Sequence, residues 1–401
     1  MKADIRAWTL TALFLILLLY LPTLAHANEQ APIRAVRFDA GYYYGTGRSV
    51  DDLARLLVDR WSEAGANTVY YMSYSPVYGA RYRTTYLHNR MEDFGRQDLL
   101  GAVLRHAKDR GMKVIAWFFD HQHKGAWDAH PQWRVKTKDG SYYRVSEDDY
   151  FLSVHHPEVR EYWQGFVADL LERYPDLDGV DITEPIINWW GNQADFSDYC
   201  REEFTRQYPG EPLEGALWNQ FRSEGLTIHI KELTDLIHSY GKQVHVTSGF
   251  TSRPDGTLYP PLGQKDLTGF DLEAILSGED VPDYLNAEVI WQQWADEYGD
   301  AFDPSWTGQA ASEVLDQVRG RAEVIVHVEL SLFGEVAPQR GQLATSMDHA
   351  LRSGAEHLDF YDTYQADTWG RWGEVRKIYT TAAHVTDLDP TALSTDIGFQ
   401  R

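Results

Sequence analysis

The feature that most constrains this chain is a repeat of one unit, a short apolar strand followed by an amphipathic helix, eight times in succession. Short runs rich in apolar, β-branched and aromatic residues stand at 33–39, 67–74, 112–119, 178–184, 242–248, 283–290, 322–330 and 355–361. Helical spacing fills the gaps between them. Leu53, Leu56, Leu57, Trp61 and Ala64 share one face. So do Leu99, Leu100, Val103, Leu104 and Ala107, then Val159, Trp163, Phe166, Val167, Leu170 and Tyr174, then Leu226, Ile230, Leu233, Ile237 and Tyr240. Weaker versions occupy 265–277, 310–319, 340–352 and 371–383. Gly65, Gly111, Gly241, Gly320 and Gly354 each close a helical stretch just before a strand, where a left-handed C-terminal cap belongs. Eight such units without a composition break predict a single-domain (β/α)8 TIM barrel over 28–384. A doubly wound open sheet is the rival. The segment from Asp39 to Gly47 lacks the G-x-G-x-x-G turn that this rival favours.

Two ends of the chain fall outside the repeat. Lys2 and Arg6 precede an apolar run from Trp8 to Leu21, and Ala25-His26-Ala27 supplies a small-x-small cleavage pattern. The run is shorter than the ~20 residues that cross a bilayer comfortably. Residues 1–27 are therefore expected to be a signal peptide, with a retained anchor as the alternative, and the mature protein to be secreted or periplasmic, without membrane contact. Residues 385–401 read as a polar tail. The formal charge of −23 argues against nucleic acid as a partner. A lone cysteine, Cys200, excludes an internal disulfide or a multi-cysteine metal site, and nothing near it suggests an activated thiolate.

In a barrel, chemistry sits at the C-terminal ends of the strands. Those ends carry Asp39, Tyr74, Asp120, Asp181 and Glu184, His245, Glu288, His327 and Glu329, and Asp359 through Asp362, with Tyr361 among them. The 14 Trp and 24 Tyr exceed what a core of this size needs. Many crowd the loops behind the strands: Tyr42, Tyr43 and Tyr44; Tyr78, Tyr82 and Tyr86; Trp127 and Trp133; Trp189 and Trp190 beside Asn188; Trp291 and Trp294; Trp369. Flat rings and carboxylates together suit a carbohydrate, because sugar C–H faces stack on rings while hydroxyls need polar partners.

Glu184 closes the fourth strand before Pro185, and Glu329 closes the otherwise apolar seventh. A carboxylate ending a buried strand is unfavourable unless paired or functional. Strands four and seven stand across a closed ring from each other, so the two side chains can face one axis. One protonated and one ionised carboxylate are what glycosidic cleavage needs. A period of two puts Asp181 and Glu184 on opposite sides unless the strand end twists, and Glu184 is favoured. Asp39, Tyr74, Asp120, His121, His123, Asp181, Asn188, Trp189, Trp190, His245, Glu288, Trp291 and Tyr361 form the expected substrate-binding set. No cofactor is implied.

Thr183-Glu184-Pro185 resembles the Asn-Glu-Pro motif of clan A glycoside hydrolases, in which strand four carries the acid/base and strand seven the nucleophile. Thr183 stands where that motif has Asn, the usual partner of the substrate 2-hydroxyl. His130-Pro-Gln-Trp133, Lys138-Asp-Gly140, His156-Pro-Glu-Val-Arg160 and Asp178-Gly-Val are similar to the hypothetical glycoside hydrolase barrels related to exopolysaccharide-processing enzymes. There the strand-four carboxylate, Asp181 or Glu184, would be a nucleophile. Both resemblances imply a sugar-processing barrel and differ on the role of the strand-four carboxylate; the reading taken is an exported glycoside hydrolase with Glu184 as general acid/base and Glu329 as nucleophile.

Four bland or rival readings stand beside this one. A non-catalytic barrel for polysaccharide assembly needs the aromatics but no carboxylate pair. Asp120-His-Gln-His123 has the His-x-His spacing of barrel metallohydrolases and deacetylases, although it follows strand three here rather than strand one. Arg81, Arg83, Arg90 and Arg96, interleaved with Tyr82 and Tyr86, could hold an anionic or acetamido-bearing glycan but read best as a solvated loop whose arginines pair with the surplus carboxylates. His156, just before Pro157, is expected to cap the third barrel helix.

Overall fold

The computed structural model describes residues 31–43, 46–86, 96–189, 191, 193–299, 301–331 and 337–381. The expected signal peptide, the polar tail, Tyr44, Arg90 and Trp190 lie outside the described residues.

All eight expected strands form. They are β1 (Ala35–Phe38), β2 (Thr68–Met72), β3 (Lys113–Phe119), β4 (Gly179–Thr183), β5 (Gln243–Gly249), β6 (Tyr284–Glu288), β7 (Glu323–Glu329) and β8 (His357–Tyr361). They pair in parallel in chain order. A parallel bridge from Arg34 to Leu358, with the Leu358 N–H donating to the Ile33 carbonyl at 3.0 Å, closes the ring. This is the (β/α)8 barrel that the repeat predicts. The outer helices are α1 (Val50–Glu63), α2 (Leu99–Asp109), α3 (Pro157–Arg173), α4 (Gly215–Ser239), α5 (Pro261–Thr268), α6 (Trp306–Val318), α7 (Gln342–Arg352) and α8 (Trp372–Thr381).

Local chemistry sets the helix ends. The Ser49 hydroxyl accepts from the Asp52 N–H at the start of α1. His156 caps α3 as expected, its ring accepting from the Glu158 N–H behind Pro157. All five glycines expected to cap helices adopt positive φ, between 66° and 101°. The weak pattern at 265–277 breaks in two, because Gly269 turns left-handed after α5 and a short helix, Leu272–Ile275, follows. Among the helices that went unread is Asp198–Gln207, whose Cys200 and Phe204 pack with Trp218 and Phe221 of α4 in a small separate core.

Side-chain alternation divides the barrel into two apolar regions. Residues such as Val36, Val69, Val114, Val180, Val244, Leu285, Val326 and Leu358 point outward, into the main core beneath the helices. Ile33, Ala35, Tyr70, Met72, Ile115, Trp117, Tyr284 and Ile325 fill the lumen as a second cluster. The lumen is thus plugged at its lower levels, and only the C-terminal mouth can admit a ligand.

β4 needs a glycine at its first position. A Cβ on Gly179 would lie 2.6 Å from the Gln243 carbonyl oxygen, a backbone atom of the neighbouring strand. Gly179→Ala should therefore destabilise the fold by about 1–3 kcal/mol through overpacking, measured by urea unfolding. An unchanged midpoint would contradict this packing.

Candidate active site

The site is built upward from a buried cation. Arg37 on β1 is 2% exposed and reaches across the lumen. Its Nε donates to Asp359 Oδ2 at 2.7 Å, Nη1 lies 3.1 Å from Asp181 Oδ2, and Nη2 donates to Thr247 Oγ1 at 2.6 Å. The guanidinium also sits over the rings of Tyr70 and Trp117, at 4.8 and 5.4 Å. The Thr247 hydroxyl donates to Asp181 and accepts a further bond from Asn286 Nδ2 at 3.1 Å. His327 Nδ1 meets Asp359 Oδ2 at 2.9 Å. Burial pushes the Asp359 carboxyl up, but Arg37 and His327 outweigh it and hold the group below the usual range. Asp181 goes the other way, because burial outweighs the help of Arg37 and two threonine hydroxyls.

Above this layer opens a cavity of about 670 Å³. Glu184, Glu288 and Glu329 face it from the ends of β4, β6 and β7. Trp117, Phe119, Trp189 and Trp294 wall it, and Tyr42 and Tyr361 stand at its side. Such a space, mostly apolar with a few converging polar groups, suits a small number of sugar rings. At the rim, the half-exposed Tyr42 stacks on Tyr364, with ring centroids 4.5 Å apart and planes 13° from parallel.

Glu184 reaches the cavity by a local backbone device. Asp181 and Thr183 both point into the lumen, and the Thr183 hydroxyl donates to Asp181 at 3.0 Å. Strict alternation would send the next side chain outward to the helices. Glu184 instead adopts φ +50°, while its N–H still donates to the Thr247 carbonyl at 2.8 Å. The left-handed turn swings the carboxyl inward. A non-glycine residue held there costs about 1–3 kcal/mol, and such strain concentrates at functional sites. Asp181 and Glu184 therefore both face the axis, one as floor and one at the cavity.

The environment raises two of these carboxyls. Burial, then the charges of Glu329 and Asp181, push Glu184 up to about 7, against a hydrogen bond from Glu288 and the charge of Arg37. Burial and Glu184 push Glu288 up to about 8, with His327 and Arg37 opposing.

The remaining expected residues scatter. Trp189, Glu288 and Tyr361 line the cavity. Asp39 pairs with Arg81, a carboxylate partner as expected, but one that is buried rather than in a solvated loop. Tyr74 packs in the core against His123 and Trp163. Asp120 sits between His121 and His229, at 3.1 and 3.2 Å. Asn188 ties its loop together, donating to the Leu267 carbonyl and accepting from the Ala194 N–H. His245 lies in the lumen against Tyr70 and Tyr284, and burial with nearby Lys113 and Arg37 lowers its pKa to about 3. Trp291 packs half-buried against the outer core. None of these six lines the cavity.

His121 and His123 do not form a metal pair. His123 Nδ1 accepts from the Ala126 N–H at 3.0 Å, which places its proton on Nε2, and that nitrogen meets the Tyr162 hydroxyl at 2.9 Å. No lone pair is left for a cation. Among the described residues no group of three or more His, Cys, Asp or Glu is arranged to hold a metal ion.

Arg37 escaped the sequence reading, although an arginine between Val36 and Phe38 of an apolar strand was itself the signal. Asp149 was also missed. It lines the cavity while accepting from the Val145 and Ser146 N–H groups, both at 2.8 Å.

The raised carboxyls make stability depend on pH. The folded state holds these protons more tightly than the unfolded chain. That stabilisation is complete below about 4.5, and it is lost as pH rises through about 7 and 8. Glu184→Gln and Glu288→Gln should therefore gain thermal stability over the native chain progressively across this window. A Tm difference that is flat with pH would contradict the raised values.

Residues 61–267 match the model of a family described as Glycosyl hydrolase-like 10. No curated protein matches the chain. Among solved structures, the PgaB (BpsB) glycoside hydrolase domain from Bordetella bronchiseptica superposes with a TM-score of 0.66 at 16% identity, covering 87% of this chain and 99% of that one. A β-galactosidase from the psychrophilic Marinomonas ef1 gives 0.61 at 12%, covering 90% and 61%. The α-L-fucosidase isoenzyme 2 from Paenibacillus thiaminolyticus gives 0.59 at 14%, covering 88% and 49%. At these identities the likeness is one of fold. The family match spans just over half of the chain, and the protein belongs to the glycosyl hydrolase-like 10 family.

Proposed function

We propose that this chain cleaves glycosidic bonds of a poly- or oligosaccharide by a two-carboxylate mechanism, with Glu184 as general acid/base and Glu329 as nucleophile. The observation that carries the reading is Glu184. It is turned into an aromatic-walled cavity at the cost of a strained backbone, and its pKa is raised to about 7 beside a second carboxylate. A raised carboxyl is what delivers a proton at neutral pH.

In the first step the proton held at Glu184 passes to the glycosidic oxygen. The C–O bond breaks, and Glu329 bonds to the anomeric carbon. In the second, Glu184 takes a proton from water, whose oxygen displaces Glu329. Carboxyls ~5–5.5 Å apart retain configuration in this way, whereas ~6.5–9.5 Å leaves room for a water and inverts it. Trp189, Glu288 and Tyr361 would contact the sugar. Asp181 would act from below by anchoring Arg37. We further propose residues 1–27 as an export signal, 28–384 as the barrel and 385–401 as a tail. Among the described residues no helix is long and apolar enough to cross a membrane.

The test is hydrolysis of a panel of bacterial and plant polysaccharides, with and without EDTA. Cleavage should resist EDTA, and Glu184→Gln should lower kcat by about 10²–10⁴-fold with folding intact. Glu329→Gln should abolish turnover. Cleavage that EDTA stops would overturn the two-carboxylate mechanism. Binding without cleavage, unchanged in both variants, would make the chain a glycan-binding barrel.

A further inference from the structure

We propose that Tyr42 and Tyr364 form an outer sugar-binding platform, on which an uncharged pyranose of the bound chain stacks where it leaves the cavity. The proposal rests on the reading of that cavity as a glycan site, and it deepens the reading by adding a subsite.

The two rings come from opposite ends of the barrel repeat. Tyr42 lies in the 3₁₀ turn Ala40–Tyr43 behind β1, and Tyr364 in the short helix Thr363–Trp369 behind β8. The seam where the barrel closes brings them together, stacked with ring centroids 4.5 Å apart. Tyr42 also lines the cavity, so the pair continues the cavity wall outward. Both rings nevertheless face water, Tyr42 at 49% exposure and Tyr364 at 38%. No further ring among the described residues packs on Tyr42.

Both rings are held in place from beneath. The Asp39 carboxyl accepts from the Gly41 N–H at 2.7 Å and pairs with the buried Arg81, which fixes the turn. A Cβ on Gly41 would lie 2.6 Å from Arg81 Nη2, so the turn is pressed against that guanidinium. On the other side, Asp362 caps the short helix by accepting from the Gln365 N–H at 3.0 Å. The Thr363 hydroxyl donates to the Arg37 carbonyl at 2.8 Å and accepts from Trp61 Nε1 at 3.0 Å. Tyr43 ties the two segments together. Its hydroxyl donates to Asp367 at 2.7 Å, and its ring stands perpendicular to that of Tyr364.

Asp39, Arg81, Asp362 and Thr363 are buried, while the two rings they support are not. Large rings left in water add nothing to the core, and an exposed apolar surface beside a cavity marks a place where something binds. Stacking on preset tyrosines orders little, because each has only two side-chain torsions and these are already fixed. The matching surface is the C–H face of a pyranose whose hydroxyls are mostly equatorial. The local charge selects against an acidic sugar. Burial and then the Asp39 carboxylate push the Tyr42 hydroxyl up, with Arg81 opposing, and the chain as a whole carries −23.

The experiment is calorimetric titration of the full chain carrying Glu184→Gln, which slows cleavage of the probes. The probes are cello-, manno- and chito-oligosaccharides from disaccharide to hexasaccharide, with oligogalacturonate as the acidic control. Affinity should rise with chain length in at least one uncharged ladder. Tyr42→Ala and Tyr364→Ala should each lower the affinity of its longest member about 10-fold and that of its shortest much less. Tyr364→Trp, which keeps a ring, should preserve the rise. Where a thermal scan shows that an alanine variant has lost its fold, the leucine variant, with apolar bulk but no ring, carries the same expectation. A rise with length that survives the loss of either ring overturns the platform, whether or not the native chain cleaves glycans. A rise that both variants abolish supports it even if the native chain cleaves nothing, a result that overturns the glycosidase reading alone. Absence of binding by every probe, or a rise confined to oligogalacturonate, overturns the proposal.

Discussion

The contact on which the rest of the site depends is the buried one between Arg37, Asp181 and Asp359. One guanidinium from β1 meets carboxylates from β4 and β8, and through Thr247 it also reaches β5. Three charges buried this deeply are tolerable only when each is paired and hydrogen-bonded, because removing any partner strands the others in a medium that cannot solvate them. The layer separates the apolar plug of the lumen from the open mouth. It also sets the electrostatics above it: net of its own pairs, Arg37 tempers the rise of both Glu184 and Glu288. The carboxyls at the mouth are thus high enough to hold protons near neutrality without being neutral at every pH.

Much of this was legible in the sequence, for physical reasons that can be named. The eight strands appear because a buried parallel strand must be apolar and short, and each is followed by a helix with one apolar stripe. Glu184 and Glu329 stood out because carboxylates seldom end such strands without a task. What the sequence does not display is direction. Alternation alone separates Asp181 from Glu184, and only the φ of +50° at Glu184 brings both to the axis. His121 and His123 illustrate the opposite error of reading spacing as chemistry. Their His-x-His pattern is consumed by one carboxylate, one helix N-terminus and one tyrosine hydroxyl. Asn188 and Asp39 likewise hold loops in place, the first with backbone groups and the second with Arg81.

The site is also where the molecule departs most from what stability alone would select. A left-handed glutamate, two carboxyls raised well above their ordinary values and a cavity where a core could close all act against the folded state. They are supported by features that the fold supplies at a distance: the close approach of β4 and β5 at Gly179, the Glu184 N–H bonded to the β5 backbone, and the walls of tryptophan. The proposed chemistry on a glycan would account for such a pattern, and packing does not.

The most direct measurement of the central claim is covalent trapping. A panel of 2-deoxy-2-fluoroglycosyl fluorides would be incubated with the full chain, digested and read by peptide mass spectrometry. The account predicts that one of these sugars adds a single glycosyl unit to Glu329, and that Glu184 and Glu288 remain unmodified. A glycosyl adduct on Glu184 or Asp181, or glycan cleavage with no adduct from any of the sugars, would contradict it.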